Sequence, residues 1–297
     1  MRIEKALEGS EGTRFSLEVF PPKARDDKGI NIKERLTNIF ETIENLAKHD
    51  PLFVSVTYNT EHLTKATSIP IAAMIKERFG IETVAHLTCI NTPVSELERT
   101  FTVLEYFNIE TVLALRGDRP PNCEIGPGCL SHASDMVAQI RKADRNLSVG
   151  VACYPEGHPE SVDRNEVRDL DIDTAHFCEK AEAGADFAIS QLFLDNSKFF
   201  SMMDRIRRCG VGVPVIPGIM PMTGKGNLNM VKKLTGVTVP PDLERKMIGA
   251  PDKAEAFEAG IEHAVRQCRG LMDKVPCIHF YTMDSWEATD RIIEELV

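Results

Sequence analysis

Short runs of β-branched and apolar residues alternate with longer stretches of helical periodicity along the whole chain. This pattern predicts βα units around a parallel sheet. Strands are predicted at 15–20, 52–57, 83–88, 111–115, 148–153, 186–191, 213–217 and 277–281. Helices are predicted at 32–48, 64–79, 94–107, 132–143, 169–184, 196–209, 225–235, 253–271 and 285–296. In the first of these, Ile32, Leu36, Ile39, Phe40, Ile43 and Leu46 recur at the spacing of one helix face. Gly184 suits a left-handed cap just before a strand. Eight strands with intervening helices and no Pro/Ser linker fit an α/β fold, a single (β/α)8 TIM barrel over 1–297, better than a doubly wound sheet. Residues 1–13 are expected to form a flexible or short helical N-terminal extension.

Composition permits a large core without staples: 42% of the 297 residues are hydrophobic and 27% charged. The net charge of -10 argues against nucleic acid, whose backbone asks for a cationic surface. No apolar run approaches the roughly 20 residues needed to span a bilayer, and Met1-Arg-Ile-Glu-Lys5 lacks a secretory pattern, so a cytoplasmic protein without a membrane role is expected. The eight cysteines contain no C-x-x-C pair and read as reduced core residues; Cys123 and Cys129, in a Pro/Gly-rich loop, are the one pair worth testing for metal or redox chemistry. No H-x-H or H-E-x-x-H pattern favours zinc.

Candidate chemistry follows from where polar residues interrupt or end the strands. Glu18 lies inside the apolar run Phe15–Val19, where a charge is costly unless it is paired or used. Burial should raise its pKa and make it a proton donor near neutrality; a structural carboxylate is the competing reading. Pro21 and Pro22 then stiffen the exit from the strand. Thr57-Tyr58, His86, Arg116-Gly117-Asp118, Tyr154 with His158, Gln191 and Tyr281 fall at later strand ends, the face on which barrel sites are assembled. Arg116 offers planar donors, Gly117 a close backbone approach and Asp118 acceptors for ring or amino N–H groups. Tyr154 suits stacking while His158 donates, although a packed turn explains both equally. Asp173 and Lys180, seven apart, share one helix face and either grip a long ligand or are solvated. Met220 and Met222 line a pocket or fill the core. His86 alone reads as a satisfied core residue.

The ordered segments SLEVFPPK, FVSVTYN, AHLTCI, ALRGD, YPEGHPE, EAGADFAISQLFLD, VPVIPGIMP and HFYT resemble the methylenetetrahydrofolate reductase family through nearly the whole chain. The resemblance implies a flavoprotein on a (β/α)8 barrel that reduces 5,10-methylenetetrahydrofolate to 5-methyltetrahydrofolate, in one-carbon and methionine metabolism, with FAD as hydride carrier and NADH or NADPH as donor. It implies that Glu18 is the general acid, that Asp118 lies by the pterin and flavin, and that Gln191 and Tyr281 contact substrate. It further implies FAD binding by Thr57, Tyr58, His86, Arg116, Gly117, Asp118, Ala133, Tyr154, His158, Asp173 and Lys180, and a homo-oligomer. Such binding through barrel loops accounts for the missing G-x-G-x-x-G fingerprint.

The chain departs from the family pattern in four places. Thr282-Met283-Asp284-Ser285 stands where bacterial relatives typically read Thr-Leu-Asn-Arg. His132 and His176 replace the commoner Tyr and Asn, and Thr223-Gly224-Lys225-Gly226 replaces a segment carrying a Phe. A protein electron donor, reduced ferredoxin among them, is therefore an alternative to the nicotinamide. A pterin or corrinoid methyl-transfer barrel and a non-catalytic subunit are the remaining alternatives.

Overall fold

The sheet closes at Pro217. The computed structural model describes residues 2–9, 12–22, 31–58, 65–90, 92–118, 126, 128–165 and 167–297. Its strands are β1 (Arg14–Val19), β2 (Val54–Val56), β3 (Thr83–Thr88), β4 (Thr111–Leu115), β5 (Ser148–Cys153), β6 (Phe187–Ser190), β7 (Val215–Ile216), β8 (Gly218–Ile219) and β9 (Cys277–Tyr281). They are all parallel and run in the order β7-β6-β5-β4-β3-β2-β1-β9-β8. Because β7 pairs with β6, β8 pairs with β9 and Pro217 alone separates β7 from β8, one interrupted strand joins both ends of the sheet. The strand predicted at 213–217 is thus the seventh stave of a TIM barrel, split where proline has no N–H for the ladder. The Pro217 carbonyl still accepts from His279 N at 2.9 Å.

The helices are α1 (Ile3–Glu8), α2 (Ile32–Leu46), α3 (Lys65–Phe79), α4 (Val94–Tyr106), α5 (Ala133–Lys142), α6 (Leu170–Glu182), α7 (Asn196–Arg208), α8 (Lys225–Thr235), α9 (Pro241–Gly249), α10 (Lys253–Leu271) and α11 (Glu287–Glu294). Local chemistry sets several starts. Asn31, Asp169, Asp195 and Asp252 accept from backbone N–H groups of the first turns of α2, α6, α7 and α10. Helix α9 was not legible in the apolar pattern; it begins at Pro240-Pro241 and packs on α10.

Of the two forms expected for the N-terminal extension, flexible or short helical, the structure has the helix, but α1 is part of the core and not an appendage. Ile3 and Leu7 are buried with Phe53, Val84, Phe187 and Cys277, and Ser148 Oγ donates to Glu4 at 2.5 Å. This short helix therefore caps the amino-terminal end of the barrel, and its two apolar residues fill the space inside the lower strand layer. A larger apolar layer, including Ile39, Ile43, Phe101 and Phe193, lies between sheet and helices. With one end filled, the opposite end carries the open cleft.

Candidate active site

Parallel register places Ser16 beside His279, and Glu18 beside both Ser55 and Tyr281. These side chains form two polar layers above the apolar floor. Ser16 Oγ is 2.8 Å from His279 Nδ1, Ser55 Oγ donates to Glu18 Oε2 at 3.1 Å, and His279 Nε2 is 3.5 Å from the same carboxylate oxygen. His86 Nε2 stands 3.4 Å from it on the other side. Glu18 is only 6% exposed and His279 fully buried.

The expectation of a raised Glu18 pKa is overturned. Burial does push it up, but the His279 hydrogen bond, the two imidazoles and Ser55 together bring it below the ordinary carboxylate value. Burial also lowers His86, against the opposing pull of Glu18, which favours the neutral ring. Its Nε2 is buried without a hydrogen bond, an orphaned polar atom at the cavity floor.

Above this floor is a cavity of about 440 Å³ that brings together Glu18, Thr57, His86, Asp118, Tyr154, Gln191 and Tyr281. A second cavity, of about 330 Å³, is lined by Arg116, Ala133, Tyr154, His158, Asp173 and Lys180, and also by His132 and His176. The two share Leu115, Ala152 and Tyr154. Gly117 has φ +86° and turns the chain between Arg116 in one cavity and Asp118 in the other, a conformation glycine adopts without strain. Neither Gly117 nor Tyr58 lines these cavities. The Tyr58 hydroxyl is raised by burial and next by Glu96 of α4.

Several partners fix what each group can do. Gln191 Oε1 accepts from Leu192 N at 2.8 Å, which leaves the amide NH2 as the donor available to a ligand. The Tyr281 hydroxyl donates to Ser190 O at 2.7 Å, and burial raises its pKa well above the ordinary value, so Tyr281 serves as a wall. Lys180 Nζ donates to Ala152 O at 2.6 Å and lies 5.9 Å from the centre of the Tyr154 ring. Asp173 Oδ1 accepts from His158 N at 3.1 Å. His158 Nδ1 accepts from Glu160 N, which assigns the proton of the neutral ring to Nε2; burial and then Arg116 lower its pKa. Arg116 makes a bidentate pair with Glu160 at 2.5 and 2.8 Å. Met220 lines the inner cavity, whereas Met222 is core.

Sequence reasoning missed Ser16, Ser55, His279 and the rim. The signal was their shared phase: Ser16 and Glu18 alternate on β1, and Ser55 and His279 are their neighbours in register. Thr282 Oγ1 donates to Glu18 O at 2.7 Å and Asp284 Oδ1 accepts from Phe20 N at 2.8 Å, so the exit of β9 clamps that of β1 on both sides of Val19. Lys225 turns to Ala250 O, and Met230, Val231 and Leu234 of α8 form the cavity wall there. Cys123 lies outside the described residues. Among the described residues no group of three or more His, Cys, Asp or Glu is arranged to hold a metal ion, and no helix is long and apolar enough to cross a membrane.

A closed (β/α)8 ring with a carboxylate and two imidazoles beneath linked cavities at the carboxyl ends of its strands defines the class, a TIM barrel with a strand-end cleft. The particular family follows from comparison with known proteins. The family model described as methylenetetrahydrofolate reductase matches residues 2–297, and the chain belongs to that family. Methylenetetrahydrofolate reductase (NADH) 1 of Zea mays is 32% identical over 99% of this chain and 50% of its own length. The 5,10-methylenetetrahydrofolate reductase of Escherichia coli (strain K12) is 32% identical over 95% of this chain and 90% of its own. The chain spans about half the length of the plant relative, and nearly all of the bacterial one. A solved Clostridium thermocellum protein described as binding two copies of 5-methyl-5,6,7,8-tetrahydrofolic acid shares the fold, with TM-score 0.67, 13% identity, and coverage of 99% of this chain and 98% of that one.

Proposed function

We propose that this chain reduces 5,10-methylenetetrahydrofolate to 5-methyltetrahydrofolate, with FAD in the linked cavities and NADH or NADPH as electron donor. The main support is that the inner cavity, which Glu18 lines, meets the outer one at Leu115, Ala152 and Tyr154. An extended ligand with a planar ring at one end and a charged arm at the other fits them. The inner cavity has apolar walls at Leu113, Leu115 and Ile189, and the outer one gathers Arg116, His158 and Lys180. Reduced FAD, when bound, supplies the hydride delivered to the one-carbon unit.

The chain's own residues perform the remaining tasks. Glu18 transfers a proton to the folate nitrogen whose bond to the one-carbon unit must break. Its lowered pKa makes it a carboxylate before substrate binds; bound substrate displaces water above it and strengthens the raising effect of burial, so Glu18 takes up a proton from solvent, and that proton is the one passed to the folate nitrogen. Asp118 offers acceptor oxygens to pterin N–H groups, and Gln191 donates from its fixed amide. Tyr281 orients the substrate as an apolar wall, and copies of the chain associate as homo-oligomers.

Purified protein reconstituted with FAD should be yellow and should bleach anaerobically when 5-methyltetrahydrofolate reduces the flavin in reverse. Failure to retain FAD, or retention without bleaching, overturns the reading. Stopped-flow reduction by NADH, NADPH and reduced ferredoxin identifies the donor, and a ferredoxin-only response removes the nicotinamide from the proposal.

A further inference from the structure

We propose that Cys178 and Cys209 form a redox modification site, a thiol pair that closes reversibly to a disulfide on reaction with a peroxide. The site lies away from the cleft, where α6 packs on α7. Its geometry rests on register. Arg205 Nε of α7 donates to Thr174 Oγ1 of α6 at 3.3 Å. These helices follow successive parallel strands and run the same way, so one turn further along both come Cys178 and Cys209. That register brings Cys209 beside Cys178, in keeping with Cys209 being one of the neighbours that raise the Cys178 thiol.

Reagent can reach the pair, since Cys209 is exposed and Cys178 partly so, and both are free thiols. The backbone also has room to adjust. Cys209 ends α7 and precedes Gly210 and Gly212, where an added Cβ would meet nothing within 4 Å. That freedom matters because a disulfide needs Cα atoms about 4.4–6.8 Å apart.

Exposure assigns the roles: Cys209, open to solvent at the end of α7, is the attacking thiol, and the partly buried Cys178, whose pKa burial and then Cys209 push up to about 11, is the resolving one. The Cys209 thiolate attacks one oxygen of hydrogen peroxide, the O–O bond breaks, and hydroxide leaves and is protonated to water. The resulting sulfenic acid is attacked by Cys178 Sγ; the S–O bond breaks, the S–S bond forms, and the Cys178 proton leaves with hydroxide as a second water. Two thiols and one peroxide thus yield one disulfide and two waters, and the two electrons lost by sulfur reduce the peroxide. A dithiol reductant reverses the change. Because α6 carries Asp173 and Lys180 toward the outer cavity, the disulfide would tie a cavity-lining helix to its neighbour.

The test treats the reduced full chain with a small excess of hydrogen peroxide, counts thiols in denaturant and maps alkylated peptides by mass spectrometry. The expected result is loss of two of the eight thiols, with one dominant intramolecular cross-link joining Cys178 to Cys209 that dithiothreitol removes. In Cys178→Ser the cross-link disappears and dimedone labelling of Cys209 rises several-fold, because its sulfenic acid is no longer resolved. Cross-links that omit either residue, a disulfide formed only between two copies, or unchanged dimedone labelling in the variant overturns the proposal.

Discussion

Glu18 and His279 face each other inside the barrel, with Oε2 and Nε2 3.5 Å apart, and the other imidazole nitrogen is held 2.8 Å from Ser16. The two residues sit on neighbouring strands, two residues apart in register and so on the same face of the sheet, which builds the contact into the barrel. Among the groups that lower the Glu18 pKa, the hydrogen bond from His279 comes first.

His279→Phe should therefore raise the Glu18 pKa, because burial stays and the chief opposing group is lost. The phenyl ring keeps the stack on Phe53, 5.6 Å between ring centres in the native pair. The carboxyl stretch followed by infrared titration should move to higher pH than in the native protein. An unmoved titration would remove His279 from the proton chemistry.

Glu18→Gln keeps the size of the side chain and removes its acid. Flavin absorbance after FAD addition should match the native protein, while reduction of methylenetetrahydrofolate falls by about 10²–10⁴-fold, the usual worth of a positioned acid. Donor-to-flavin electron transfer, measured separately, should persist. Equal loss in both half-reactions would point to a structural carboxylate instead.

Asp284 gives a pH signature of opposite sign to that of Glu18. Burial raises its pKa to about 6 from 3.8, so between those values the folded protein binds more protons than the unfolded chain and stability falls as pH rises. Glu18, held low, instead adds stability above its unfolded value of 4.5 that is lost as pH falls through the folded one. Asp284→Asn keeps an acceptor for Phe20 N and removes the charge. Its melting temperature should exceed that of the native protein at pH 7 and match it near pH 3.5, the difference reaching at most about 3 kcal/mol.

Gly218→Ala tests the wall formed by Tyr281. The added Cβ would overlap Ser190 O and sit 2.5 Å from the Tyr281 ring, neither of which can yield without loss of the Tyr281–Ser190 hydrogen bond. A destabilisation of about 1–3 kcal/mol by denaturant melts is expected, with a raised KM for the folate. Native stability in the variant would show that the wall can shift freely.

The chain itself determined the alternation of strand and helix, the barrel and the strand-end location of the polar residues, since each follows from local periodicity. Glu18, Asp118, Gln191 and Tyr281 were legible because each interrupts or ends an apolar run. Tertiary structure decided the rest. Ser16, Ser55 and His279 look ordinary in their segments and become a network only when parallel register places them around one carboxylate, and that network reverses the pKa shift expected from burial alone. Helix α1 looked like an appendage because six residues carry too little periodicity to show which surface they cover. Closure at Pro217 and the packing of α6 on α7 likewise depend on residues distant in the chain, brought together by the curvature of the sheet.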